Sequence, residues 1–421
     1  MRILFLGWIG LGLLASCESR PTAIASTTPL VPPLAAKPAL VVPDTIDYTN
    51  SQHGALRYQA SVDTLVLLGQ HHYWLQLRQT ADSSKPVDYS PTRVVGRYFA
   101  APADSTWQHH RVRGYDGTYS FVLRDSTRQR VVFRQQLHKK DLLLGAPAET
   151  VTVSSPEFYY LGYSSGLHAL LFLVEIGIPN SDVGHRAALL LDARSGRVRA
   201  LRDAGSATFE ATDCEPQIAP DGQAAITCAD ELLRAGRPAF SLRRPHAELR
   251  ATRFLTDTTL LAVYAFGDYR PRKPEPGLTD TGPSDDPSIS AGFYLPDQEF
   301  VSTPAQLSAA NAFVLGTSGH VLGKFHFTNW GMGEMNYSLP RRFLAATRTY
   351  YFFNDKALVS LPKATPGRII ELPLKGLTTF SPPQQPQEIS FTLPDEYGQE
   401  EFTFYVDKTN PRAVRVRRQK M

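Results

Sequence analysis

The sequence predicts an all-β fold, because short alternating, β-branched or aromatic segments are separated by turn residues about every 8–12 positions. Residues 64–68 and 73–77 form one such pair of segments, and residues 118–123 and 131–133 form another. Of the 421 residues, 42 % are hydrophobic, which is enough to bury a sizeable interior. A chain of this length exceeds one ordinary core, so we expect two domains.

The first domain, residues 46–150, is predicted to be a small β-sandwich or a barrel-like fold. The second, residues 151–421, contains strand–turn–strand segments at 187–199, 313–322 and 402–416. These segments resemble the inter-strand turns of WD-repeat and TolB-like β-propellers. The resemblance implies a β-propeller-like domain of five or six blades at the usual repeat length. A second β-sandwich is the alternative, since many short strands fit both architectures.

The N-terminus has the pattern of a secretory signal. Arg2 precedes an uncharged, mostly apolar run at residues 3–14. That run is shorter than the roughly 20 residues that cross a bilayer, and it fits the apolar region of a signal peptide. Small residues then lead directly into cysteine in the segment Leu14-Ala15-Ser16-Cys17. This segment resembles the lipobox of bacterial lipoproteins.

The resemblance implies that residues 1–17 are a lipoprotein signal peptide ending at Cys17, which carries the acyl chains, palmitate among them. Several acyl chains hold a protein stably on a membrane. By analogy with the family, Glu18 favours the outer membrane, facing either the periplasm or the surface. Residues 18–45 are rich in Pro, Ala, Ser and Thr, so we expect an extended tether.

The two remaining cysteines, Cys214 and Cys228, are predicted to form a structural disulfide in an oxidising compartment. Between them, residues 219–222 read Ala-Pro-Asp-Gly, a type I turn signature in which Gly222 takes a positive φ. A three-residue loop would place Ala219 opposite Gln223. Counting outward from that pair places Cys214 directly opposite Cys228.

The charge pattern limits the partners. The formal net charge is +4, small for this length, and export makes nucleic acid an unsuitable partner. Basic residues cluster in two places, and we interpret both as solvated strand faces, with contact to anionic lipid headgroups or an acidic polysaccharide as the alternative. The clusters are Arg124, Arg128, Arg130, Arg134, Lys139 and Lys140, and Arg412, Arg415, Arg417, Arg418 and Lys420.

One short motif matches a catalytic pattern. Residues 162–166 read Gly-Tyr-Ser-Ser-Gly, which fits the G-x-S-x-G elbow of α/β-hydrolases with Ser164 as the nucleophile. The elbow requires a helix after the serine, and residues 167–178 are an apolar run that fits a helix or a buried strand. Because the chain shows no alternation of strands and helices, we interpret the motif as a glycine-rich turn and assign no catalytic residue.

No cofactor or metal site is predicted. The adjacent pairs His71-His72 and His109-His110 point to opposite faces of a strand, so neither pair converges easily on one ion. We therefore expect a membrane-anchored exported lipoprotein with a non-enzymatic binding or envelope-assembly role. Its partners would be the membrane, through the acyl chains, and an envelope protein or polysaccharide. The alternative is a carbohydrate-active or other hydrolase that uses one face of the propeller.

Overall fold

Strands make up most of the described chain, which confirms the predicted all-β fold. The computed structural model describes residues 44–47, 61–89, 93–95, 108–125, 130–177, 184–203, 215–228, 230–271, 298–328, 332–333, 336–337, 339, 341–354, 356–395 and 399–420. Cys17, the predicted signal peptide and nearly all of the predicted tether lie outside the described residues. Pro43–Met421 form one unit by their internal contacts.

Sheet 1 is built on two long strands that pair over most of their length. Its strands are β1 (Asp44–Asp47), β2 (Ser61–Leu68), β3 (His71–Val87), β4 (Arg93–Val95), β5 (Gln108–Asp125) and β6 (Val131–His138). β2, β3, β5 and β6 form an antiparallel meander, while β1 and β4 pair with the start of β5. The chain then passes through a 3-10 helix, Lys139–Leu144, and the helix α1, Ala148–Val153.

Sheets 2, 3 and 4 are antiparallel meanders of four strands. Sheet 2 contains β7 (Glu157–Ser164), β8 (Ala169–Gly177), β9 (Gly184–Asp192) and β10 (Val198–Asp203). Sheet 3 contains β11 (Gln217–Ile218), β12 (Ala224–Ile226), β13 (Glu231–Arg234) and β14 (Arg237–Ser241). Sheet 4 contains β15 (Ala247–Phe254), β16 (Thr259–Phe266), β19 (Ala312–Gly316) and β20 (Val321–Phe325). Between β16 and β19 lie the hairpin β17 (Asp268–Pro271) and β18 (Gln298–Val301) and the helix α2 (Pro304–Ser308).

Sheets 5 and 6 follow a short hairpin of β21 (Met332–Gly333) and β22 (Asn336–Tyr337). Sheet 5 contains β23 (Arg341–Leu344), β24 (Thr349–Phe353), β25 (Ala357–Pro362) and β26 (Ile370–Pro373). After a 3-10 helix, Leu374–Gly376, sheet 6 contains β27 (Thr378–Thr379), β28 (Glu388–Pro394), β29 (Glu400–Asp407) and β30 (Val414–Lys420). Its last three strands are antiparallel, and β27 runs parallel to β30.

The central strands of sheet 2 are buried on both faces. In β8, Leu170 and Phe172 pack towards sheet 1, whereas Ala169 and Leu171 pack towards sheet 3. Alternate side chains therefore enter two different cores, which explains the nearly continuous apolar run in the sequence. The run that fitted either a helix or a strand is thus a strand.

Each sheet shares a buried hydrophobic cluster with the next sheet along the chain, from sheet 1 to sheet 6. Four-stranded meanders packed face to face in chain order are also how propeller blades are arranged, which supports the predicted resemblance. Five of the described four-stranded sheets fall within residues 151–421, within the expected range. The domain boundary at residue 150 stays a prediction, and one cluster contains side chains from both sides of it.

The predicted hairpins are confirmed. They are β2–β3, β5–β6, β9–β10, β19–β20 and β29–β30. The turn at 219–222 also forms: the Gly222 N–H donates to the Ala219 oxygen over 2.8 Å, and Gly222 has a φ of 75°.

The register predicted for this last hairpin is wrong by one residue. Ile218 pairs with Ala225, and Ala219 pairs with Ala224 rather than Gln223. The extra residue is Gln223, whose N–H donates to the Asp221 carboxylate over 2.9 Å. Its side-chain amide donates to the Ser165 hydroxyl of the neighbouring sheet over 3.1 Å, so Gln223 belongs to the loop. The argument that placed two cysteines directly opposite each other therefore no longer holds.

Candidate functional site

An apolar strip lies on the outer face of sheet 1. Side chains on a strand alternate between faces, and Val66 and Leu75 are buried against sheet 2. Their neighbours Leu65, Leu67 and Trp74 point the other way and are 51 %, 54 % and 45 % exposed. We call these three residues the apolar strip.

The apolar strip lies at the edge of the sheet. β2 pairs with β3, where Leu65 lies opposite Trp74, and no other described strand pairs with β2. Natural edge strands are often protected by lysine, proline or a bulge. β2 reads Ser-Val-Asp-Thr-Leu-Val-Leu-Leu and contains only Asp63 as a charged residue. The edge is therefore poorly protected against association.

Three arginines lie beside the apolar strip on the same outer face, and we call Arg78, Arg124 and Arg134 the cationic row. Arg124 is directly opposite Trp74 across β3 and β5. Arg78 and Arg134 are exposed, and Arg124 is half-buried. None of the three forms an ion pair within the described part of the chain. The face therefore combines exposed apolar groups with three arginines that form no ion pair in the described part of the chain, and its acidic side chain on β2 is the exposed Asp63, two residues before Leu65.

The C-terminal basic cluster differs from the cationic row. Arg415 forms a two-pronged ion pair with Glu388, with distances of 2.6 and 2.5 Å. Arg418 pairs with Glu400 over 2.5 Å. Two of the five basic side chains at this end are thus paired with carboxylates, whereas Arg412, Arg417 and Lys420 form no ion pair within the described residues. Sheet 1 differs because its arginines lie beside large apolar side chains that are exposed, which makes it the better candidate for a partner that is both anionic and apolar.

One member of the first basic cluster is not solvated, contrary to our interpretation. Lys139 is only 2 % exposed. Its Nζ donates to the backbone oxygens of Tyr115, over 2.9 Å, and Thr152, over 2.8 Å. Burial lowers the pKa of Lys139 from 10.5 to about 7, an effect opposed by the nearby Asp116 carboxylate. The sequence does not locate this burial, because Lys139 follows the buried Leu137 by two residues but begins the 3-10 helix after β6, where strand alternation no longer applies.

The surroundings of Lys139 are tightly packed. The recess beside it is lined by Asp116, Gly117 and Tyr119 among others. A Cβ on Gly117 would lie 2.6 Å from the Tyr119 hydroxyl oxygen, so the close approach requires glycine. The amine joins β5 to α1 through two carbonyl groups, and we interpret it as a structural link rather than a nucleophile.

A cluster of carboxylates lies where sheets 2, 3 and 4 meet. Burial raises the pKa of Asp230 to about 7, Arg243 opposes this effect, and Glu248 and Glu231 add to it. Each carboxylate has its own arginine: Asp230 with Arg243 at 3.6 Å, Glu231 with Arg202 at 3.4 Å, and Glu248 with Arg250 at 2.8 Å. Perturbed pKa values also occur in structural ion-pair networks, and the pairing favours that interpretation here.

The G-x-S-x-G segment is a hairpin turn between β7 and β8, so the helix that a nucleophile elbow requires is a strand. Ser164 is 1 % exposed and donates to the Gly222 oxygen over 2.7 Å. The Gly166 N–H donates to the same oxygen over 3.0 Å. These bonds fasten the first hairpin turn of sheet 2 to that of sheet 3. The interpretation of the motif as a glycine-rich turn is confirmed.

The remaining predicted residues give partial information. Cys228 is buried and disulfide-bonded, whereas Cys214 lies outside the described residues, so their pairing stays a prediction. His71 and His72 are exposed at the start of β3. Within the described ranges, no group of three or more His, Cys, Asp or Glu side chains is arranged to hold a metal ion. No helix among the described residues has the length and apolarity needed to cross a bilayer.

No family model matches the chain, and no curated protein matches its sequence. Among solved structures, it is similar to BamB from Moraxella catarrhalis, with 12 % identity, 73 % of this chain and 70 % of BamB covered, and a TM-score of 0.27. It is also similar to a prolyl endopeptidase, with 11 % identity, 87 % of this chain covered and a TM-score of 0.32. The chain spans only 43 % of that endopeptidase. These TM-scores are too low to carry an argument about function.

Proposed function

We propose that this protein is an exported, membrane-anchored lipoprotein of the cell envelope whose role is binding rather than catalysis. The observation that carries the proposal is the outer face of sheet 1. There the apolar strip and the cationic row lie side by side and are accessible to solvent. Exposed apolar residues grouped with arginine are typical of interaction surfaces.

The residues with catalytic potential have structural contacts that support a binding role. Ser164 is buried in a turn and bonded to the Gly222 oxygen. Lys139 is held by two backbone oxygens. Asp230 faces Arg243 at the junction of the sheets. These contacts weaken the alternative of a hydrolase, which depended on a free nucleophile or a pair of carboxyl groups in a pocket.

The proposed location rests on the N-terminal sequence. The lipobox resemblance at Leu14-Ala15-Ser16-Cys17 implies acyl chains on Cys17. The Pro-rich segment 18–45 implies a tether between that anchor and sheet 1. Such a protein would sit at the outer membrane and meet envelope proteins, polysaccharides or lipids.

The anchor is tested by mass spectrometry on membrane fractions from cells that express the full chain, either unchanged or as Cys17→Ala. We expect an acylated N-terminal Cys17 in the unchanged protein, and loss of both the acyl groups and membrane association in the variant. A soluble mature protein without acylation at Cys17 would overturn the proposed location.

The binding role is tested by placing a photo-cross-linking amino acid at Leu65 in the lipidated protein. The control is the same replacement at Leu307, which is 63 % exposed on α2. We expect adducts with envelope components at position 65 well above those at position 307. Equal, background labelling at both positions would contradict a binding role for the outer face of sheet 1.

A further inference from the structure

The geometry points to a specific partner for this surface: we propose that the outer face of sheet 1 docks on an anionic phospholipid surface. The apolar strip would enter the boundary between headgroups and acyl chains, and the cationic row would contact lipid phosphates. The inference rests on the proposed function, because the acyl anchor is what keeps sheet 1 close to a membrane.

The side chains of the apolar strip suit the interface of a bilayer. Trp74 has an apolar ring system with one polar N–H, and tryptophan concentrates at the level of lipid headgroups. Leu65 and Leu67 are each more than half exposed, and aliphatic side chains gain free energy when they leave water for the acyl region. All three belong to one face of two paired strands, so they can enter a flat surface together.

The cationic row supplies the matching charge. Leu65, Trp74 and Arg124 follow one another across β2, β3 and β5 in direct register. Neighbouring strands are about 4.8 Å apart, so the arginine lies within about 10 Å of the leucine that would be inserted. Arginine binds phosphate through a planar fork of donors. An apolar edge with arginines immediately behind it matches the order of layers at an anionic membrane surface.

The predicted anchor makes even weak docking effective. From Cys17 to the start of β1 at Asp44 there are about 27 residues. At the polyproline rise of about 3.1 Å per residue, a chain of that length spans about 84 Å, so the anchor limits how far sheet 1 can move from the leaflet that holds the acyl chains. Because β1 pairs with β5, the tether enters the fold at sheet 1 itself. Because the acyl anchor already holds the protein at the membrane, the second contact, between sheet 1 and the lipids, forms at a high effective concentration.

The test uses the lipidated full chain reconstituted in vesicles of neutral phosphatidylcholine, with or without about one third phosphatidylglycerol. Brominated acyl chains quench tryptophan that reaches the membrane, and subtracting the signal of Trp74→Phe isolates Trp74. We expect quenching of Trp74 on the anionic vesicles and at least roughly twofold less on neutral vesicles or at high salt. Replacing Arg78, Arg124 and Arg134 with Gln should reduce quenching to the neutral-vesicle value.

Two matched controls isolate the surface. Replacing the exposed Arg194, Arg197 and Arg237 with Gln makes the same change in net charge elsewhere and should leave quenching unchanged. Leu65→Ser should reduce quenching, whereas Leu307→Ser should not. Circular dichroism on each variant establishes that the fold is retained.

The inference is overturned if Trp74 is not quenched on anionic vesicles while mass spectrometry shows acylated Cys17 in the same sample. Protection of Trp74 by a second copy of the chain or by an added strand from an envelope protein, without lipid quenching, would also overturn it. Absence of acylation is a separate result, which contradicts the proposed anchor and not the chemistry of this face.

Discussion

Lys139 combines burial with a chemical group that normally stays in water. Its Nζ has two backbone oxygens as acceptors, and Asp116 lies close enough to favour the charged form. Burial outweighs these effects and lowers the pKa of Lys139 to about 7. Phe133 and Leu137 of β6 are buried in the cluster between sheets 1 and 2, and Lys139 begins the 3-10 helix that follows, where its Nζ donates to the Tyr115 and Thr152 oxygens.

This shift makes stability depend on pH in a defined window. Between the folded pKa of about 7 and the ordinary value of 10.5, the unfolded chain binds more protons at Lys139 than the folded chain does. The free energy of unfolding should therefore rise with pH above 7, by up to about 1.4 kcal/mol per pH unit from this group. We expect Lys139→Met to flatten the rise, as measured by urea unfolding from pH 7 to pH 9.5.

The neighbouring Lys140 supplies the control, because it is exposed. Lys140→Met should keep the slope of the unchanged protein. If Lys139→Met and the unchanged protein have the same slope, Lys139 is charged in the folded state at pH 9.

Asp230 should have the opposite dependence. Its pKa is raised by burial from 3.8 to about 7, so the folded chain binds more protons than the unfolded chain between these values. Its contribution to stability is complete below about pH 4 and is lost as the pH rises through 7.

Asp230→Asn should flatten this fall in stability, and asparagine tolerates the positive φ of 56° at this position. Thermal unfolding from pH 4.5 to 7.5 measures the effect. Asp257→Asn is the control, because Asp257 is exposed, and it should keep the pH dependence of the unchanged protein. If Asp230→Asn also keeps that pH dependence of stability, the raised pKa of Asp230 is contradicted.

The turn between β7 and β8 shows how one hairpin fastens two sheets. A Cβ on Gly166 would lie 2.9 Å from the Gln223 Cα, and that neighbour is backbone that cannot move alone. We therefore expect Gly166→Ala to separate the two turns and lower the free energy of unfolding by about 1–3 kcal/mol. A Cβ on Gly376 meets nothing within 4 Å, so Gly376→Ala is the matched control and should be neutral or slightly stabilising. Denaturant unfolding distinguishes the two. Equal stabilities would mean that the turns are not in contact.

Local patterns predicted the strands and hairpins because those patterns depend on neighbouring residues. The alternation around Leu75 and the turn at Gly222 both formed as expected. The predicted register beyond that turn was wrong by one residue. Gln223 lies in the loop rather than in the strand pairing, and its side chain contacts Ser165, which is far away in sequence.

The candidate binding surface could not be predicted from the sequence either, because it also depends on contacts between distant residues. Residues 65–68 are apolar on both faces of β2, and only the packing of sheet 2 decides that Val66 is buried while Leu65 is exposed. The two basic clusters also looked alike. The contact of Arg415 with Glu388, which balances its charge, joins strands 27 residues apart in sequence.

The described sheets depend on their neighbours for a core, as in repeat architectures in which each unit contacts the next. Phe121 of sheet 1 lies 5.3 Å from Phe158 and 5.2 Å from Phe172 of sheet 2, measured between ring centroids. These contacts cross the boundary predicted at residue 150. Residues on the two sides should therefore unfold together.

Phe121→Ala tests this coupling. The side chain is fully buried, so its removal should cost about 3–5 kcal/mol. Because the lost contacts belong to both sheets, hydrogen exchange followed by mass spectrometry should show faster exchange in β8 and β9 as well as in β3 and β5. Phe343→Ala, at a residue that is 38 % exposed in sheet 5, should change neither region. If Phe121→Ala accelerates exchange only before residue 150, sheet 1 unfolds by itself, and the chain consists of two independent domains divided at that boundary.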